Sequence, residues 1–125
     1  MSIKSGDVFL YSIANGDKRL HVVITDADSD DGVYIVRIDP LDECWESLCV
    51  LEPIEDHSSI EVTSVVVYEQ ILKVKSESLR TGAWSQEKEP FTEKVMQRIY
   101  DGAKQSNKIS RGALNALIKQ NKLEN

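Results

Sequence analysis

Cys44, Cys49 and His57, with Glu55 and Asp56 directly before the histidine, bring two thiols and an imidazole into one short stretch. Two thiolates and an imidazole are three of the four ligands a tetrahedral zinc ion takes, and His21 or Asp56 could supply a fourth. The Cys-x4-Cys spacing is wider than in most zinc knuckles, and a single histidine follows nearby. A second reading makes Cys49 a small buried hydrophobe and Cys44 a loop thiol. It frees His57 as a site residue beside Ser64, where a neutral imidazole next to a hydroxyl can act as general base. A disulfide between the two cysteines is a third arrangement, open to an oxidising environment. His21 lies in a strand-forming stretch, which favours a packed or hydrogen-bonded ring.

Asp26, Asp28, Asp30 and Asp31 begin like a calcium loop. Glycine falls one place late, at Gly32, and the twelfth position is Arg37 where a bidentate glutamate is required, so the run reads as a solvated hairpin turn. Trp45 and Trp84 fall in loop-like stretches, where an indole either covers the core or offers a face for stacking.

Charge limits what these groups can bind. The chain has 125 residues and a net charge of −6. Residues 1–103 carry 10 Lys/Arg against 20 Asp/Glu, whereas residues 104–125 carry Lys104, Lys108, Arg111, Lys119 and Lys122 against Glu124 alone. An acidic body repels polyanions over about 8 Å, so a nucleic acid bound here needs a local basic track. No apolar run approaches the roughly 20 residues that span a bilayer, and the first residues lack the apolar stretch of a signal peptide. The expectation is a cytoplasmic protein with no membrane contact.

The elements that must position these groups are short strands followed by helices. Residues 7–13 form a short strand with Val8 and Leu10 on one face and Phe9 and Tyr11 on the other, Asn15-Gly16 is a hairpin signal, and 20–25 and 33–38 complete a meander. A brief strand is expected over 48–51, a buried one over 60–67 and one more over 71–74. A short helix is expected over 76–83. Thr92 is then a good N-cap, Phe91 and Met96 sit at staple positions, and Val95, Met96, Ile99, Tyr100 and Ala103 form one stripe. A last helix starts near Ser110 and frays at its end. The fold class is mainly β with C-terminal helices (α+β): a small barrel of five to six strands over 1–75, with a helical extension over 76–125 packed on the same domain.

The opening Ser5-Gly-Asp-Val-Phe9, the segment Arg19-Leu-His-Val-Val-Ile24 and the segment Thr63-Ser-Val-Val-Val-Tyr-Glu-Gln-Ile71 resemble, in order and spacing, the PemK/MazF-like toxin family of small SH3-like barrels. Cys44, Cys49, His57, Ser64-Val-Val-Val-Tyr68 and Pro90-Phe-Thr-Glu93 extend the likeness, up to about residue 106, to a little-characterised bacterial branch of that family. The resemblance implies metal-independent cleavage of single-stranded RNA without a cofactor, and an antitoxin or other protein partner or a homodimer. It places Arg19 on the family's catalytic arginine, retains Ser64, and departs at Leu20, where proline is usual. It departs again at Asp39, where the third strand ordinarily ends in a hydroxyl residue.

On this reading Arg19 steadies the phosphate, His57 or Asp39 takes the 2′-proton and Ser64 orients the backbone. Without the resemblance, Arg19 is a surface cation or a partner of Asp17, and Ser64 is a strand hydroxyl. The rival function is a non-catalytic module that holds a peptide or partner helix in the barrel groove, its acidic body selecting a basic ligand.

Overall fold

The structure, a computed structural model, describes residues 3–12, 16–43 and 47–123. Six strands form one antiparallel sheet: β1 (Val8–Ser12), β2 (Lys18–Val23), β3 (Gly32–Pro40), β4 (Val50–Leu51), β5 (Ser64–Lys75) and β6 (Trp84–Gln86), in the spatial order β4-β5-β3-β2-β1-β6. Two helices follow, α1 (Glu93–Gln105) and α2 (Arg111–Lys119). The sheet curls into a half-barrel, and both of its edge strands are very short, which leaves little unpaired backbone for another chain to zip onto.

The curl has a local cause. The register of β3 on β5 jumps from Val36 opposite Ile71 to Arg37 opposite Val67, so Tyr68, Glu69 and Gln70 have no partners across the ladder. Extra residues on one strand bend it and increase its twist. The stretch over 64–74 is therefore one bent strand, where the sequence predicts two. Residues 60–63, expected to be strand, precede it as irregular chain after a turn that the Ile60 amide closes on the His57 carbonyl. The bend drives Tyr68 into the core, where its hydroxyl donates to the Ile99 carbonyl at 2.6 Å.

The main core lies between the sheet and the helices. Val8, Leu20, Val22, Val36, Ile38, Val66 and Tyr68 meet Val95, Ile99, Tyr100 and Ala103 of α1 and Leu117 of α2. Thr92 caps α1 as predicted, accepting from the Val95 amide, and Ser110, near which the last helix was expected to start, caps α2 by accepting from the Ala113 amide. Gly102 permits the close seating of α1, since a Cβ there would overlap the Tyr68 hydroxyl. Gly6 takes a left-handed turn at φ +96°, and its carbonyl accepts from the Phe91 amide, tying the first strand to the entry of α1. The Gln120 side chain clasps α2 to the β2–β3 hairpin, with bonds of 2.7 and 2.9 Å to the Asp26 backbone. A smaller cluster of Ile3, Phe9, Val23, Val33, Ile35 and Leu79 fills the opposite face of the sheet.

Two further expectations shift. The helix predicted over 76–83 is a single 3-10 turn (Ser76–Arg80), and Gly82, at φ +65°, leads into β6. Trp84, expected in a loop-like stretch, thus sits in a strand, and the sheet takes its sixth strand from just beyond the segment expected to be helical. The brief strand predicted over 48–51 is confined to Val50–Leu51. Asn15, Cys44 and Trp45 lie outside the described residues.

Candidate functional site

β2 and β3 set Leu20 opposite Ile38 and His21 opposite Arg37. Because side chains alternate along a strand, Leu20 and Ile38 enter the helix-covered core while Arg19, His21, Arg37 and Asp39 share the other face. Arg37 is committed there: its Nε donates to Asp39 Oδ2 at 2.9 Å, and its Nη2 lies 2.8 Å from the same oxygen. Arg19 is not. Its guanidinium faces Asp17, Glu43 and Asp39 at 3.5, 3.7 and 3.8 Å, all longer than the roughly 3.2 Å limit of a good hydrogen bond. Asp39 is buried, and its Oδ1 is the one buried side-chain oxygen or nitrogen among the described residues without a hydrogen-bond partner.

Arg19 also stands on the wall of a groove of about 600 Å3 at the open end of the half-barrel. Leu20, Ile38 and Ile60 supply apolar surface, Ser64 lies on the same wall, and among the described residues Asp17, Glu43, Glu61 and Glu87 line it against two cations, Lys18 and Arg19. The Ser64 hydroxyl donates to the Val62 carbonyl at 2.7 Å and can still accept. Beside the groove, Pro40, Leu41 and Val62 border an apolar hollow of about 580 Å3.

His57 is placed differently from the sequence expectation. Its Nδ1 accepts from the Ser59 amide at 2.9 Å, so Nε2 carries the proton and donates to the Glu89 carbonyl at 2.6 Å. Both nitrogens are thereby used, the ring packs edge-on to Phe91 at 5.0 Å, and it does not line the groove. It braces the turn over 57–59 against the chain entering α1. Its neighbour Asp56 is equally engaged: Oδ1 accepts from Arg98 of α1 at 2.7 Å, and Oδ2 accepts from the Glu52 amide at 2.7 Å. Arg98 also donates to the Val50 carbonyl.

The imidazole that shares a face with Arg19 is His21. Its Nδ1–H donates to the Arg19 carbonyl at 3.1 Å, and its ring meets Trp84 edge-on at 4.9 Å. Burial, more than any charge, lowers its pKa to about 4; the Arg19 carbonyl opposes that shift, Arg37 adds to it and Asp39 opposes it. His21 is therefore neutral at pH 7, with Nε2 an acceptor. Period-two alternation from Arg19 was the signal in the sequence that could have found it. Trp84 completes the cluster by packing on Tyr11 at 4.6 Å.

Among the described residues, which leave out Cys44, the metal readings find little to hold an ion. Cys49 is buried, and that burial pushes its thiol pKa up, which disfavours the thiolate a metal needs. No group of three His, Cys, Asp or Glu is placed around a common point among the described residues. Asp28 accepts from the amides of Asp30 and Gly32 at 2.9 and 2.8 Å and pairs with Lys73 at 2.9 Å, which makes the acidic run a closed hairpin turn. Among the described residues no helix is long and apolar enough to cross a membrane. No protein-family model matches the chain, and no curated protein matches it.

Proposed function

We propose that the chain is a PemK/MazF-like protein whose groove beside Arg19 receives a phosphodiester of single-stranded RNA, as a toxin-type, metal-independent endoribonuclease. One observation supports this above others: among the described residues Arg19 lines the groove with its donors in long ion pairs only, while its neighbour Arg37 is spent on Asp39. A phosphate entering the groove offers the guanidinium the short bidentate contacts it lacks. Asp39 Oδ1 lies 3.8 Å from the Arg19 guanidinium, behind the groove wall, and has no hydrogen bond to surrender. It accepts the ribose 2′-proton as the 2′-oxygen attacks phosphorus and the 5′-oxygen leaves, taking a proton from water. Arg19 then steadies the negative charge that builds on the phosphorus-bound oxygens, and Ser64 orients the backbone.

The test is metal-free cleavage of a long single-stranded RNA by the full chain, beside Arg19→Ala and Asp39→Asn. Cleavage lost in both variants, with melting unchanged in Arg19→Ala, supports the site. Intact RNA, or cuts that persist in Arg19→Ala, removes the mechanism.

The rim carries a second reading. Asp17, Glu43, Glu61 and Glu87 outnumber Lys18 and Arg19, and the adjoining hollow is apolar. That charge suits a basic peptide with apolar anchors better than a polyanion. Glu43→Gln separates the two by sign: it strengthens RNA binding a few-fold if RNA is the ligand, and weakens capture of a lysine- and leucine-containing peptide if a peptide is.

A further inference from the structure

We infer that the α1–α2 corner and the outer face of α2 form a basic surface, separate from the Arg19 groove, that binds the phosphate backbone of nucleic acid. Between Gly102 and Leu123 the chain has five cations and no carboxylate, although acidic residues outnumber basic ones elsewhere. Lys104, Lys108, Arg111 and Lys119 take part in no ion pair among the described residues; Lys122 is held by Asp26 at 3.1 Å. Arg111, Asn115 and Lys119 recur every four residues and are exposed, so they lie in one row along α2. Lys104 and Lys122 line one cleft of about 330 Å3 beside Asp101, and Lys119 lines another with Lys73, which is paired with Asp28.

The character of this surface selects its partner. Ala113 and Leu117, the apolar face of α2, are buried in the core, so the helix has nothing to insert into a bilayer. The exposed row holds no aromatic or aliphatic anchor of the kind that dominates protein interfaces; the large exposed apolar residues, Leu41, Leu48, Ile54, Val62 and Leu72, all lie elsewhere in the sequence. Cations and a short amide without an apolar centre are what phosphate contacts require. The inference stands whether or not the groove cleaves RNA.

The experiment is fluorescence polarisation of a labelled single-stranded RNA of about 20 nucleotides with the full chain between about 50 and 200 mM salt. The expected result is steeply salt-dependent binding that falls at least about tenfold in the triple variant Lys108→Gln, Arg111→Gln, Lys119→Gln. Its salt slope should be shallower by about 2, at roughly 0.7 per lost phosphate contact, and its melting temperature unchanged. In the Arg19→Ala background the same three substitutions should still lower binding by about tenfold, which separates this surface from the groove. Equal binding by the triple variant overturns the inference. So does equally tight binding of poly-glutamate, which would identify an acidic protein surface as the partner, or binding to phosphatidylserine vesicles without binding to RNA.

Discussion

Two polar clusters at different places in the fold show what separates a brace from a site. Around α1, His57, Asp56 and Arg98 make short hydrogen bonds: those to the Glu89 carbonyl and from Arg98 tie the 52–59 segment to the chain entering α1 and to the helix, and those from the Ser59 and Glu52 amides close the segment on itself. Around β2 and β3, Arg19 has three carboxylates at distances too long for a good hydrogen bond, and Asp39 keeps a buried oxygen unbonded. Buried polar groups that serve only stability are normally satisfied, because an unmade bond costs about 1–3 kcal/mol. The unsatisfied cluster is the one that gains from a ligand.

The sharpest way to break this contrast is to remove one residue from each side. Arg19→Ala should lower RNA cleavage by about 10²- to 10³-fold, since a lost transition-state donor costs that much, yet change stability by less than about 1 kcal/mol. Single-turnover cleavage and a denaturant melt measure the two numbers. His57→Ala should do the reverse: it deletes a packed ring and two hydrogen bonds, which costs about 3 kcal/mol and about 10 °C in melting temperature. If His57→Ala melts like the parent but stops cleavage, the histidine belongs to the site and the comparison fails.

A smaller effect comes from His21. Its folded pKa of about 4 lies below the unfolded value, so as pH falls from 7 toward 4 the unfolded chain takes up the proton first and stability is lost. The loss should reach about 2–3 kcal/mol at pH 4, and His21→Gln should flatten that slope in melts at three pH values. Smaller again is Gly102→Ala. Helix propensity gains up to about 1 kcal/mol, but the new methyl displaces the Tyr68 hydroxyl from the Ile99 carbonyl. A net loss of about 1–2 kcal/mol is expected, and a stabilised variant would show that the α1 cluster is looser than its bonds imply.

Much of the scaffold was legible along the chain. Local chemistry decides caps and alternation, so the Thr92 and Ser110 caps, the stripe on α1 and the first three strands follow from neighbouring residues. The bend at Tyr68 and the strand at Trp84 did not follow, because each depends on partners distant in sequence: β5 bends where β3 sets its register, and β6 forms where β1 offers an edge. The same division runs through the candidate site. The family resemblance marked Arg19, Asp39 and Ser64, and residue type marked His57, as groups able to do chemistry.

Only the tertiary structure decided which of them have spare hydrogen-bonding capacity. A guanidinium or an imidazole is a site residue or a brace according to what surrounds it. The Glu89 carbonyl that occupies His57 and the Arg37 fork that occupies one oxygen of Asp39 are both set by how the chain packs. The sequence alone determined the segregation of charge into an acidic body and a basic C-terminal stretch, since composition does not depend on packing. Folding then decided that α2 turns its apolar side inward and leaves Arg111 and Lys119 facing out, because burial of Ala113 and Leu117 orients the helix.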